Sequence, residues 1–118
     1  MNKKELEERL INFAVNTIKM AESISHSYAG NHLANQLIRS SSSPALNYAE
    51  AQGAESKKDF LHKIKIALKE LRESLVCIKI IKKLNLIPED RIQSIEGECN
   101  ELVSIFVKSA ETTQKSMH

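Results

Sequence analysis

Apolar residues recur along this chain at i, i+3/i+4 and i+7, the period of a helix buried along one face. Leu6, Leu10, Phe13, Ala14, Thr17, Met20, Ala21 and Ile24 form the first such stripe and predict a helix over 3–27. Gly30-Asn31 breaks it. Leu33, Gln36, Leu37, Ser40, Leu46, Asn47 and Glu50 then lie on one helical trace over 31–52, although this trace contains Ser40-Ser41-Ser42-Ser43-Pro44. An interior proline costs roughly 3 kcal/mol or kinks the helix. The segment reads as one helix bent near 39–44; two short helices, the second opening on Pro44, are the alternative.

After Gly53, Ser56-Lys57-Lys58-Asp59 sets a capping serine three residues ahead of an acid, which is close to a capping box. It opens a third helix over 57–85. Pro88-Glu89-Asp90 opens a fourth over 89–115, whose stripe is Ile92, Ile95, Cys99, Leu102, Val103, Phe106 and Ala110. Long helices joined by short connections predict an all-α, antiparallel, up-down-up-down four-helix bundle, with residues 1–118 as one domain.

Composition agrees with that pattern. Three glycines, two prolines and 4% aromatic residues are too few for a sandwich or barrel, which needs frequent turns. The 17 basic residues nearly balance the 15 acidic ones, so any affinity for nucleic acid depends on how charge is distributed. Cys77 and Cys99 fall inside apolar helical patterns and read as buried, reduced thiols of a cytoplasmic protein. No apolar run approaches the length of a membrane span, and no charged segment precedes an apolar run as in an export signal.

The third helix carries the most information. At about 100° per residue, Phe60, Ile64, Ala67, Leu68, Leu71, Leu75 and Ile78 form a seam toward the core. Lys58, Lys65, Lys69, Arg72, Lys79 and Lys83 fall within an arc of about 80° beside it, which contains no acid. Ile66, Ile80, Ile81 and Leu84 lie away from the seam, and on the first helix Ile11, Val15 and Ile18 lie away from the main stripe. A monomeric bundle helix needs one apolar stripe. A second one predicts a self-associating surface formed by these seven residues. The basic arc runs along an element some 40 Å long, suited to a phosphate backbone. Its alternative is an ordinary solvated face, and no aromatic residues interleave the lysines for base stacking.

Catalytic constellations are missing. His26, His32, His62 and His118 form no metal-ligand pair with each other or with cysteine, so no metal or cofactor is expected. The serine run lacks a nucleophile elbow, and its hydroxyls are expected to serve close packing or backbone bonding near Pro44. No arginine is followed by histidine at the spacing used by small helical endoribonucleases. Arg39, Asn47 and Glu50 share a face of a continuous second helix. They suggest a polar network that fixes register, or alternatively a site for an anion or a partner.

Asn31-His32-Leu33-Ala34-Asn35-Gln36-Leu37-Ile38-Arg39-Ser40, Asn47-Tyr48-Ala49-Glu50-Ala51, Ser56-Lys57-Lys58-Asp59-Phe60 and Ile66-Ala67-Leu68-Lys69-Glu70-Leu71-Arg72-Glu73-Ser74 follow in order. Together they resemble the four-helix-bundle family of 23S rRNA intervening-sequence proteins. That resemblance implies a homopentameric ring of antiparallel bundles, encoded by a reading frame of a kind sometimes inserted in bacterial rRNA genes. The related accessory proteins of diversity-generating retroelements use a basic pentameric barrel to bind a reverse transcriptase and nucleic acid. Pro44 departs from the family's apolar or small residue after the serine-rich turn. The function expected is a non-catalytic oligomeric scaffold or adaptor contacting RNA or a nucleic-acid enzyme through the basic stripe. The alternative is a purely structural or protein-binding assembly.

Overall fold

The computed structural model of the chain describes residues 1–117 as four helices: α1 (Lys3–Glu22), α2 (Tyr28–Gln52), α3 (Lys57–Lys83) and α4 (Glu89–Lys115). Three of the helix starts are capped by side chains, which satisfy backbone N–H groups that have no partner within the helix. Asn2 Oδ1 accepts from the Glu5 amide at 2.8 Å, Ser27 Oγ from Gly30 at 2.9 Å and Ser56 Oγ from Asp59 at 3.0 Å. The fourth start has Pro88 at the cap position and no side-chain cap; Glu89 and Asp90 supply negative charge to its first turn instead.

The boundary between α1 and α2 differs from the sequence reading. The first helix ends at Glu22 rather than 27, and the second begins at Tyr28 rather than 31. Gly30 is therefore not a break but the third residue of α2. A Cβ there would meet the Ser25 carbonyl oxygen and Ser27 Oγ, both at 2.8 Å. The glycine lets the incoming chain fold back over the helix start. At the end of α3, Asn85 takes φ 55°. Its amide donates to the Lys82 carbonyl and that of Leu86 to Ile81, a Schellman motif that ends the helix at Lys83 rather than 85.

Pro44 sits fully buried inside an α2 that is continuous from Tyr28 to Gln52. It offers no N–H to the Ser40 carbonyl. The preceding hydroxyls turn inward to the backbone: Ser42 Oγ donates to the Ile38 carbonyl at 2.9 Å, and Ser40 and Ser41 make longer bonds to Leu37 and Ile38.

The helices pack in chain order around a square, α1 on α2, α2 on α3 and α3 on α4, with a slighter contact of α1 on α4 closing it. α1 thus lies diagonally across from α3. The bundle measures 48 × 22 × 22 Å. Leu10, Met20, Leu37, Ile64, Leu71, Ile92 and Leu102 are fully buried within it, and Tyr48 meets Phe106 edge to face with centroids 5.7 Å apart. Each such side chain contributes about 1.5–3 kcal/mol on burial. Ile81 belongs here too, which corrects its assignment to an outer, self-associating surface: it is 0% exposed. It stands one turn after Cys77, whose thiol reaches the Leu33 carbonyl of α2, so α2 covers that side of α3. Ile18 and Ile66 are half-buried, whereas Ile11, Val15, Ile80 and Leu84 are exposed.

Candidate functional site

The outer face of α3 follows from which of its sides are occupied. Ser74 Oγ donates to Ser40 Oγ of α2 at 2.8 Å, and Cys77 contacts Leu33 on the same flank. On the opposite flank Cys99 of α4 donates to the Leu71 carbonyl, and Lys82 pairs with Glu96 at 3.1 Å. Lys58, Lys65, Lys69, Arg72, Lys79 and Lys83 occupy the remaining outer arc nearest α4. All six are exposed, and among the described residues none is in an ion pair. Other cations of the bundle are engaged: Arg9 by Glu98 and Glu101, Arg39 by Glu70 and Glu73, Lys63 by Glu50. On the α2 side of the same outer face stand Ile80 and Leu84, 43% and 51% exposed, with Val76 at 58% between them and the lysines.

Arg39, Asn47 and Glu50 do not bond to one another. The Arg39 guanidinium crosses to α3, donating to Glu70 at 2.9 Å and to Glu73, with Gln36 on its own helix as a third acceptor. Asn47 donates to the carbonyl and the hydroxyl of Ser43, both at 3.0 Å. Glu50 accepts from Lys63 at 2.8 Å, a bond that raises the lysine pKa above its ordinary value. Three residues on one helical face thus serve three separate contacts, two of which tie α2 to α3.

No reactive group emerges from the serines or thiols. All four hydroxyls of the run are engaged, Ser43 by Asn47 and the others by carbonyls or Ser74. Cys77 and Cys99 are buried and free. Burial pushes the Cys99 thiol up to about 12. Among the described residues, which exclude His118, no three His, Cys, Asp or Glu side chains come together as a metal site. No described helix is long and apolar enough to cross a membrane.

Two features were not anticipated from sequence. Ser40 and Ser74 meet in the core across 34 positions of chain, and only the place of Ser40 on the helical trace of the second helix hinted at it. Between α1 and α4 runs an open groove of about 680 Å³, lined by Asn12, Asn16, Gln93 and Ser94 over a floor of Phe13 and Ile95. Gly97 borders it with no atom within 4 Å of the position a Cβ would take.

The bundle is similar to a crystal structure of a protein of unknown function from the S23 ribosomal protein family of Bacteroides thetaiotaomicron. The TM-score is 0.85 at 23% identity, covering 94% of this chain and 99% of that one. No curated protein matches the chain. Residues 3–108 match the family model described as 23S rRNA-intervening sequence protein. Covering helices α1 to α3 and most of α4, that match establishes that the chain belongs to the 23S rRNA-intervening sequence protein family.

Proposed function

We propose that this chain is a non-catalytic, homo-oligomeric scaffold. One observation carries the reading: exposed aliphatic side chains stand on two diagonally opposed helices, Ile11 and Val15 on α1 and Val76, Ile80 and Leu84 on α3. Neither group contributes to the bundle's own core. Large apolar side chains clustered at helical spacing outside a core fit an association surface. The family resemblance favours a ring of five, and the two buried free thiols suit the reducing cytoplasm. Light scattering tests the reading. The expected particle is several times the 13.3 kDa chain, and a clean monomer at micromolar concentration sinks it.

A second reading concerns the basic stripe. Six exposed cations, none in an ion pair among the described residues, lie along one helix while other cations of the bundle are engaged by carboxylates, an arrangement suited to RNA or to a protein that handles nucleic acid. Binding of a structured RNA is expected to weaken steeply with salt. Changing Lys65, Arg72 and Lys79 together to Glu is expected to abolish it. If the unaltered protein shows no salt-dependent binding, the stripe only solvates a protein-binding or structural assembly.

A further inference from the structure

We infer that subunits join head to tail, the outer strip of α1 on one copy seating on the outer strip of α3 on the next. This deepens the scaffold reading and rests on it. The two strips match in length: Ile11 to Ile18 and Val76 to Leu84 each span about 11–12 Å of helix. They differ in charge. The α3 strip is bordered by Arg72, Lys79 and Lys83, all exposed and none in an ion pair among the described residues, while Glu73 on its other border is engaged by Arg39. Two copies of this strip facing each other bring like charges together. Its partner must therefore be a different surface with acids around an apolar centre.

α1 supplies that surface. Ile11, Val15 and the half-buried Ile18 are bordered by Glu7, Glu8 and Glu22, none of them in an ion pair among the described residues. Lys4 and Lys19 stand on the same face, which leaves it with one net negative charge against three positive ones on α3. The strips also lie on opposite sides of a bundle 22 Å across, so one neighbour cannot cover both. Different complementary patches on opposite sides generate a head-to-tail chain, which closes into a ring when the rotation per subunit permits. The competing arrangement is a two-fold pairing of α1 with α1. Run antiparallel, it sets Lys4 near Glu22 and Glu7 near Lys19, but it leaves the α3 strip uncovered.

A mixing experiment decides between them. One full-length variant carries Ile11→Glu with Val15→Glu, the other Ile80→Glu with Leu84→Glu. Each alone is expected to lose the assembled mass and run at 13.3 kDa. Mixed in equal amounts, they retain one intact strip each and are expected to form a particle of twice that mass and no larger. An assembled wild type whose two variants stay monomeric when mixed overturns the head-to-tail pairing. So does an α3 variant that still dimerises alone, which assigns the contact to α1 against α1. A wild type that is itself monomeric sinks the scaffold reading rather than the pairing. Should the glutamates unfold the chain by circular dichroism, serines at the same four positions repeat the test with less local charge.

Discussion

The seam between α2 and α3 and the seam between α1 and α4 solve the same packing problem differently. At the first, small side chains lie in the interior: Ser40 and Ser74 are fully buried and bonded to each other, and Cys77 reaches the α2 backbone. Small residues let two backbones approach, and that close contact is then framed by Arg39 between Glu70 and Glu73 and by Lys63 on Glu50. At the second seam the helices stand apart over a groove of about 680 Å³ lined by amides, and Arg9 spans it to Glu98 and Glu101. Contact through a dry interior is worth more than contact through partly exposed ions. α1 is consequently held chiefly by α2, and α1 is also the helix with an apolar strip to offer a neighbour.

That contrast breaks most readily at the tight seam. Ser40→Leu forces a branched side chain into the buried serine contact and is expected to cost about 3 kcal/mol or more, with a fall in melting temperature above roughly 10 °C. Calorimetry reads it directly, and a change within a few degrees means that the seam is looser than described. Removing one hydroxyl is milder. Ser40→Ala leaves Ser74 Oγ without its acceptor and is expected to cost about 1–2 kcal/mol, whereas the double change to alanine is expected to restore most of that. A double-mutant cycle in urea checks the sign of this coupling.

At the open seam smaller effects are expected. Gly97→Ala adds a methyl where nothing stands within 4 Å and removes the entropic cost of a mid-helix glycine. The isolated subunit is expected to gain about 0.5–1 kcal/mol, and a loss instead means that the groove closes more tightly than it stands here. Arg9→Ala removes the bridge to Glu98 and Glu101, whose members retain part of their exposure to water. Less than about 1 kcal/mol of global stability should follow, with hydrogen exchange rising in α1 more than in α2 or α3.

The thiols sharpen the comparison by pH. Burial raises both Cys77 and Cys99 above the ordinary thiol value, Cys99 to about 12. A group held protonated in the fold contributes fully below the unfolded thiol value. That contribution is lost as pH climbs from near 9 toward about 12. Replacing Cys99 with Ala is expected to flatten the decline of the melting temperature over that window. An unchanged slope places the alkaline loss elsewhere.

Periodicity and capping chemistry placed all four helices, because a stripe repeating near 3.6 residues and a serine three positions before an acid are local signals. The basic arc of α3 was equally legible as a wheel sector, since the spacing of its cations needs no knowledge of neighbours; that none of the six is in an ion pair among the described residues was decided by which carboxylates the other helices present. Gly30 was misplaced for the opposite reason. Whether a glycine ends a helix or admits a passing chain depends on what approaches it, here the Ser25 carbonyl. Ile81 was misplaced because a wheel drawn around one helix cannot say how far the next helix wraps it. Arg39, Asn47 and Glu50 share a face as the spacing requires, yet Arg39 and Glu50 bond to α3, which the spacing along α2 cannot reveal.

The amino-acid sequence by itself determined the helices, their polarity and the three-sided character of α3, all set by interactions within a few residues along the chain. Only the tertiary structure decided that α1 and α3 are diagonal, that their exposed strips face opposite ways, and that one seam is closed by buried serines while the other stays open. Those outcomes depend on which side chains meet across dozens of positions, and there the close packing of the core rather than local spacing selects the partner.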